Sequence, residues 1–363
     1  MLLGPRRVGK TVLLERILAK TAEPYILLNG GNQETQRQLA IRSTQNYKLL
    51  LGNIKLLLID EAQEIDDVGN KLKLMVDTLP GIRILATGSS AFDINQHTGE
   101  PLTGRKWSVQ LYPLSLEELA PQENFTQWRD NLHHRLIYGS YPELLQYPNL
   151  NEKQWYLEEL VNSYLLKDIL ATEMVKDAGK ILNLLRLIAH QIGGEVSNHG
   201  LGNQLGISKN TVERYLYILS QIFVLYPLGG FHRNLRKEVV KRKRWYFFDN
   251  GLRNALIGNF RPIELRNDIG MLWENYMVAE RLKYQSYHGI SAYNYFWRTY
   301  DQQEVDWVED RGGKLYGYEF KWNPKRQLKA PAAWRKNYPE AVFKVINRDN
   351  YRDWILPPVT END

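Results

Sequence analysis

The chain has 363 residues, of which 43% are hydrophobic and 24% charged, so it is long enough for more than one hydrophobic core and has the composition of a folded protein. No apolar run approaches the roughly 18 residues of a membrane span, and the first residues lead directly into a glycine-containing loop. We therefore expect neither a membrane segment nor a signal peptide. The absence of cysteine excludes disulfides and thiolate metal sites and is typical of a cytoplasmic protein.

Basic residues are concentrated in one segment. The chain has 47 Lys and Arg against 41 Asp and Glu, but residues 232–244 alone carry seven basic side chains and one acidic one. The rest of the chain is balanced. Such a cluster predicts a patch that binds a polyanion, and a solvated charged loop is the alternative. The basic residues are Arg233, Arg236, Lys237, Lys241, Arg242, Lys243 and Arg244.

Residues 4–11 read G-P-R-R-V-G-K-T and stand immediately before a helical pattern. Glycines allow the backbone N–H groups of such a loop to point at phosphate oxygens, and the N-terminus of the next helix faces the same anion. The pattern predicts that Lys10 contacts the β- and γ-phosphates and that Thr11 binds Mg²⁺. The predicted nucleotide contacts are Gly4, Pro5, Arg6, Arg7, Val8, Gly9, Lys10, Thr11 and Val12.

A second signal follows in residues 55–61, K-L-L-L-I-D-E, which have the pattern of a buried parallel strand ending in two acids. We expect Asp60 to hold the Mg²⁺ and Glu61 to polarise the attacking water. Ser89, with Thr87 and Ser90, follows the next strand and is a candidate for sensing the γ-phosphate, although strand ends commonly carry hydroxyl residues. Arg105 is a candidate for stabilising transferring phosphoryl charge, in its own site or in that of a neighbouring subunit.

Strand and helix patterns alternate over the first 150 residues. Strands are expected at 25–28, 55–59, 82–86 and 107–111, with helices at 33–51 and 68–79. This alternation predicts an α/β fold with a parallel sheet between two layers of helices. Only Met1, Leu2 and Leu3 precede the loop, where a central strand of about five residues is expected. This motivates the hypothesis that the complete gene product begins further upstream.

After connecting helices at 151–180, residues 181–249 carry the pattern of a helix-turn-helix. Its turn is at Gly206 and its last helix is capped by Ser208. Lys209, Asn210 and Arg214 are expected on the outer face of that helix, where they would contact DNA. The basic segment lies between two strand patterns and is expected to form a hairpin wing. A purely structural helix bundle is the alternative.

Residues 250–363 contain two strands with charged residues on one face. Asp306 lies on the first strand, and Glu319 and Lys321 lie on the second. Two carboxylates and an ammonium group are suited to hold Mg²⁺ and to position water, and Glu274, in a preceding helix, is a possible further ligand. Charges paired on a solvated strand face are the alternative.

The order of these motifs, including L-L-L-I-D-E-A-Q, A-T-G-S-S, Y-G-S-Y-P-E and Y-E-F-K-W, resembles a family of bacterial and archaeal AAA+-type P-loop ATPases with a C-terminal domain of unknown function. The resemblance implies an ATPase core, a winged helix and a small α+β domain similar to PD-(D/E)XK nucleases. Asp306, Glu319 and Lys321 match the nuclease pattern, and Glu274 matches its helical acid. Nuclease-like domains of such families are often inactive.

Three hypotheses follow. The first is a Mg-dependent ATPase that binds or processes double-stranded DNA, with a C-terminal domain that either cuts the DNA or only holds it. Its cofactors are ATP and Mg²⁺, and a homo-oligomer is one possible state. The second is a nucleotide-controlled switch or scaffold that binds a protein partner. The third keeps the DNA binding and has no nuclease activity.

Overall fold

The computed structural model describes residues 1–89, 106–165, 169, 177–231, 243–325 and 329–356. The chain divides into two compact units, and the first contains Met1–Tyr112 with Gln221–Phe223. The second contains Pro113–Ser220 and Val224–Asp363. Among the described residues, the helices are too short or too polar to cross a bilayer.

The first unit is built on a sheet of five parallel strands in the order β2-β3-β4-β1-β5. Its strands are β1 (Leu2–Leu3), β2 (Tyr25–Asn29), β3 (Leu56–Asp60), β4 (Arg83–Gly88) and β5 (Val109–Gln110). Its helices are α1 (Lys10–Ala19), α2 (Gln33–Ala40), α3 (Thr44–Leu51) and α4 (Val68–Thr78). The predicted α/β class and parallel sheet are confirmed.

The two faces of β3 show why the sheet is covered on both sides. Leu58 packs with Leu14 and Leu18 of α1, whereas Leu57 and Ile59 belong to a different core cluster with residues of α2, α3 and α4. Alternate side chains of a strand point to opposite faces, so a continuous apolar run must be buried on both. The predicted helix at 33–51 is two helices, because Ser43 caps a new one by accepting a hydrogen bond from the N–H of Asn46.

The second unit contains a six-stranded sheet in the order β11-β10-β9-β8-β6-β7. Its strands are β6 (Leu225–Gly230), β7 (Arg244–Phe247), β8 (Tyr293–Arg298), β9 (Glu304–Arg311), β10 (Lys314–Phe320) and β11 (Val342–Ile346). The β6 and β7 strands pair antiparallel, as predicted for the hairpin, and β6 also pairs with β8. The sheet therefore continues across the boundary that the sequence placed at residue 249.

The helices of the second unit lie before, between and after these strands. They are α5 (Leu116–Leu119), α6 (Phe125–Tyr138), α7 (Leu150–Glu159), α8 (Ala178–His190), α9 (Asn198–Leu205), α10 (Lys209–Gln221), α11 (Asn250–Leu256), α12 (Ile269–Tyr287), α13 (Ala332–Asn337) and α14 (Arg352–Ile355). Ser115 and Glu118 form a capping box at the start of α5.

Buried polar contacts hold residues 113–146, which the sequence analysis grouped with the first 150 residues, within the second unit. The amide groups of Asn250 and Asn254 in α11 donate to the carbonyl of Leu136 at the end of α6. The carboxylate of Asp249 accepts from the N–H of Ser140 at 2.7 Å. Buried polar groups need such partners, so residues 113–146 are held in the second unit.

Gly139 lies at the centre of this network and has a φ of 76°. A Cβ at this position would lie 1.9 Å from Asp249 Oδ1, and the N–H groups of Ser140, Gly251 and Leu252 hold that carboxylate in place. The conformation and the space at this position therefore both require glycine.

We predict that Gly139→Ala destabilises the protein by at least about 2 kcal/mol more than Gly258→Ala. Gly258 also has a positive φ, of 61°, but no atom lies within 4 Å of its Cβ position. Gly258→Ala therefore measures only the cost of placing alanine in a backbone conformation with positive φ. Urea denaturation of both variants measures the difference. Equal free energies of unfolding would show that the Asp249 network does not require the glycine.

Candidate functional site

The predicted phosphate loop connects the central strand β1 to helix α1. Arg7 and Gly9 have positive φ values of 66° and 93°, which fold the loop back on itself. Gly4 is required by close packing, because a Cβ there would lie 2.1 Å from the carbonyl oxygen of Leu111. No side chain caps the first turn of α1, whose N-cap is Gly9. The backbone N–H groups at this helix end are therefore suited to an anion.

Lys10 is the first residue of α1 and is only 4% exposed. Its ammonium group donates to the carbonyls of Gly4 at 3.0 Å and Pro5 at 2.9 Å. The loop thus holds the charge of Lys10 at its own centre, where a bound phosphate would meet it.

Thr11 and Asp60 meet at the carboxyl end of β3, as the sequence predicted. The hydroxyl of Thr11 donates to Asp60 Oδ2 at 2.9 Å. Asp60 is 6% exposed and is the last residue of β3. A hydroxyl and a carboxylate oxygen are ligands that suit Mg²⁺ together with phosphate oxygens and water. The two side chains therefore fit a Mg-nucleotide complex.

Thr87, at the end of β4, orients both acids. Its hydroxyl donates to Asp60 Oδ1 and accepts from the backbone N–H of Glu61 at 3.1 Å. Glu61 has a φ of 49°, and its carboxylate accepts a hydrogen bond from Gln63. Gln63 also accepts from the N–H of Ser89 at 3.3 Å, so Gln63 joins the two strand ends.

Gln63 was not among the residues singled out from the sequence, because its role depends on a turn that the strand pattern does not specify. Arg105 and Ser90 lie outside the described residues.

The charged residues of the second unit form a separate pocket around Arg244. Asp306 of β9 and Glu319 of β10 are 4% and 7% exposed, so they do not lie on a solvated strand face. Asp306 Oδ2 accepts from the N–H of Phe320 at 2.8 Å, and Lys321 pairs with Glu319 at 2.7 Å. Glu274 of α12 accepts from the hydroxyl of Tyr246 at 2.7 Å.

The guanidinium of Arg244 lies between the carboxylates. It is 2.8 Å from Glu304, 3.7 Å from Glu274 and 3.8 Å from Asp306. The sequence placed Arg244 among the DNA contacts, but at 4% exposure it faces the pocket and not the protein surface. The pattern of basic residues could not distinguish it from its neighbours, because its burial results from the pairing of β7 with β6.

This arrangement does not fit the predicted metal site. Within the described parts of the chain, no group of three His, Cys, Asp or Glu side chains is arranged to hold a metal ion. The cation among Glu274, Asp306 and Glu304 is instead a side chain of the protein itself. No step of a cleavage reaction can therefore be derived for this pocket.

Burial determines the protonation of these acids. It raises the pKa of Glu274 to about 8 and that of Glu319 to about 7, and the charge of Asp306 adds to both shifts. Burial also raises the pKa of Asp306. For Arg244, burial opposes the charged form, but Tyr246 and the surrounding carboxylates outweigh it and raise its pKa. Protons on the buried acids, together with the charges of Arg244 and Lys321, thus balance the charge of the pocket without a metal ion.

The segment for which the sequence predicts a helix-turn-helix contains α9 and α10. Gly206 ends α9 with a φ of 63°, and the Ser208 hydroxyl accepts from the N–H of Thr211 at 3.1 Å. The exposed face of α10 carries Lys209, Asn210, Glu213, Arg214 and Tyr217. Lys243 is also exposed, whereas Arg233, Arg236, Lys237, Lys241 and Arg242 lie outside the described residues.

Comparisons with known proteins agree with the nucleotide site. Residues 1–120 match the family described as an AAA domain. Residues 129–262 and 269–353 match two domains of unknown function, DUF8612 and DUF4143. The AAA match and the DUF4143 match together support a P-loop ATPase-like protein, and the AAA domain indicates nucleotide binding and hydrolysis.

Two similar proteins carry only the description uncharacterized. One from Mycobacterium tuberculosis is 26% identical over 325 residues, which cover 88% of this chain and 69% of the relative. One from Haemophilus influenzae is 26% identical over 280 residues, which cover 70% of this chain and 68% of the relative. A crystal structure of a Vibrio cholerae protein is 10% identical and covers 97% of this chain and 95% of its own. Its TM-score of 0.16 does not establish a common fold. The N-terminal part of this chain is thus similar to AAA domains.

We predict that the free energy of unfolding falls as the pH rises from about 5 to about 9, and falls less in Glu274→Gln. The folded protein holds protons on Glu274 and Glu319 more tightly than the unfolded chain does, so it loses stability as the pH rises through their folded-state pKa values, about 8 and about 7. Glutamine keeps an acceptor for Tyr246 and removes the charge. We expect a difference of at least about 1 kcal/mol across this range.

Urea denaturation at several pH values measures this dependence, and Glu264→Gln, at an exposed glutamate, is the control. If the free energy of unfolding depended on pH in the same way in wild type and in Glu274→Gln, the raised pKa of Glu274 would be contradicted.

Proposed function

We propose that the protein hydrolyses ATP with Mg²⁺ at the loop formed by residues 4–11 and couples this reaction to binding of double-stranded DNA. The proposed ATPase activity depends on the 2.9 Å hydrogen bond between Thr11 and Asp60. This contact joins the loop of residues 4–11 to the acidic end of β3. The AAA-domain match of residues 1–120 supports the same activity.

The residues of the first unit have distinct roles in this proposal. The loop N–H groups and Lys10 bind the phosphates and neutralise their charge. Thr11 and Asp60 hold Mg²⁺, which when bound neutralises charge on the β- and γ-phosphate oxygens. Glu61 orients the attacking water, and Thr87 fixes Asp60 and the backbone of Glu61 through its two hydrogen bonds.

The DNA part of the proposal rests on charge and on the order of the elements, because three helices, α8, α9 and α10, precede the β6–β7 hairpin, an order typical of a winged helix. Lys209 and Arg214 lie on the exposed face of α10, three and eight residues after Gly206 at the turn. The segment 232–243, between β6 and β7, carries six basic residues and one acidic residue, a net charge of +5. Basic side chains on an exposed helix after such a turn are suited to contact the phosphates and base edges of duplex DNA.

DNA cleavage is not part of this proposal, although the pocket of Glu274, Asp306, Glu319 and Lys321 has the residues of a PD-(D/E)XK-like site. The pocket is charge-balanced by Arg244 and is not arranged for a metal ion. This observation favours a protein that holds DNA without cutting it.

We predict that Lys10→Ala lowers the ATP hydrolysis rate by about 100-fold or more, because the loop loses the charge that stabilises the developing negative charge on the phosphates. Lys20→Ala, at an exposed lysine just after α1, is the matched control and keeps the wild-type rate. Phosphate release from purified full-length protein measures both. Unchanged hydrolysis in Lys10→Ala would refute the ATPase assignment.

We predict that DNA binding weakens steeply as salt rises, because phosphate contacts release counterions. Replacing Lys209 and Arg214 together by alanine should reduce the slope of the logarithm of the DNA-binding constant against the logarithm of the salt concentration by about 2. Because phosphates are the same in every duplex, the loss should be similar for different DNA sequences. Arg186→Ala, at an exposed arginine of α8, is the control and keeps the wild-type slope. Fluorescence anisotropy with duplex DNA provides the measurement.

Salt-independent binding, or no DNA binding at all, would favour a nucleotide-controlled switch that acts on a protein partner.

A further inference from the structure

We propose that a cavity of the second unit binds one nucleotide, whose base stacks on tryptophan and whose phosphate pairs with arginine. The cavity has a volume of about 700 Å³ and is lined by residues of α6 and of the segments that follow β10 and β11. Small-molecule sites span about 300 to 1,000 Å³, so the volume suits such a ligand. The cavity shares no lining residue with the pocket around Arg244, and the proposal does not rest on the ATPase activity of the first unit.

The fold places the cavity at one edge of the second sheet. The strands β10 and β11 are parallel, so their carboxyl ends lie at the same edge, and the N–H of Lys321 extends their pairing by donating to the carbonyl of Ile346 at 2.9 Å. Trp322 comes two residues after the end of β10, and Arg348 comes two residues after the end of β11. The carboxyl ends of parallel strands are a common position for ligands in α/β sheets.

Three aromatic side chains line the cavity and are only partly buried. Two of them, Trp128 and His133, come from α6, and the third is Trp322. The ring centroids of His133 and Trp322 are 5.9 Å apart. Trp322 also packs edge-to-face on the fully buried Trp273, with ring centroids 5.5 Å apart, and this contact fixes its position. Aromatic rings held in this way provide flat apolar surfaces on which a nucleobase stacks.

An arginine lies against each tryptophan ring of the cavity. The guanidinium carbon of Arg348 is 5.5 Å from the centre of the Trp322 ring, and that of Arg352 is 5.1 Å from the centre of the Trp128 ring. Among the described residues, neither arginine forms an ion pair with a carboxylate. Such a guanidinium is suited to bind a phosphate through two parallel hydrogen bonds. It also repels a ligand cation, so the two rings are not suited to a quaternary ammonium group.

Two carboxylates complete the lining and narrow the class of ligand. Asp130 and Asp349 disfavour inorganic phosphate, which carries only negative charge, but they can accept hydrogen bonds from the amino group of a base. The turn that carries Arg348 and Asp349 is already ordered, because the side-chain oxygen of Asn347 accepts from the N–H of Asp349 at 2.9 Å. A ligand with a base at one end and a phosphate at the other therefore matches the rings, the arginines and the carboxylates together.

The proposal is tested with a fluorescein-labelled single-stranded octamer of deoxyadenylate and full-length protein, by fluorescence anisotropy. Excess Mg-ADP occupies the nucleotide site of the first unit, and every protein carries Lys209→Ala and Arg214→Ala to remove contacts of α10. Trp128→Leu and Arg348→Ala should each weaken binding about tenfold, through the loss of a stacking surface and of a phosphate contact. Arg335→Ala, at an exposed arginine of α13, is the matched control and should keep the affinity.

Competition with AMP identifies the form of the ligand. Displacement of the octamer would show that a free nucleotide is bound, and octamer binding that AMP does not displace would place the nucleotide in a strand.

Three outcomes would overturn the proposal. The first is that neither the octamer nor AMP binds. The second is an equal octamer affinity in Arg348→Ala and Arg335→Ala, a comparison of two exposed residues that stays decisive even if Trp128→Leu does not fold. The third is displacement of the octamer by choline chloride beyond that caused by the same concentration of sodium chloride, because it would identify a site for a quaternary cation.

Discussion

The hydrogen bond between Thr11 and Asp60 is the contact on which the functional account depends. The two residues are 49 positions apart in sequence and lie 2.9 Å apart. The parallel sheet brings them together, because β1 and β3 flank β4 and all three strands end at the same edge. Thr87 at the end of β4 then binds Asp60 from the strand between them. The ends of three strands thus form one polar site, which is where open α/β sheets bind ligands.

The buried acids of the second unit are paired with a cation of the chain itself. In the first unit Lys10 donates to a carbonyl of its own loop and Asp60 accepts from Thr11, and we propose that a phosphate and a metal ion complete this site. In the pocket of the second unit the compensating cation is already part of the chain, since Arg244 lies among Glu274, Glu304 and Asp306. A buried charge cluster with its own counter-ion can stabilise a fold and need not perform a reaction. The same residue types therefore support a catalytic hypothesis in one unit and form a pocket with its own buried counter-ion in the other.

Much of the nucleotide site could be predicted because its chemistry is local. The loop of residues 4–11 and the acids after the apolar run of β3 are continuous in sequence, and strand alternation determines which edge they share. The roles of Gln63 and Arg244 could not be predicted, because each depends on contacts between distant segments. Arg244 has the same sequence environment as Lys243, yet Lys243 is exposed and Arg244 is buried by the pairing of β7 with β6. The contact of Ser140 with Asp249 could not be predicted for a similar reason, since it spans 109 positions.

The most direct test of the account is the effect of Mg²⁺ on ATP affinity in wild type and in Asp60→Asn, measured by calorimetry. If Thr11 and Asp60 form one metal site, Mg²⁺ will tighten ATP binding to the wild type and will no longer do so in Asp60→Asn, whose affinity for metal-free ATP is retained. An Asp60→Asn variant in which Mg²⁺ strengthens ATP binding as much as in the wild type would contradict the central claim.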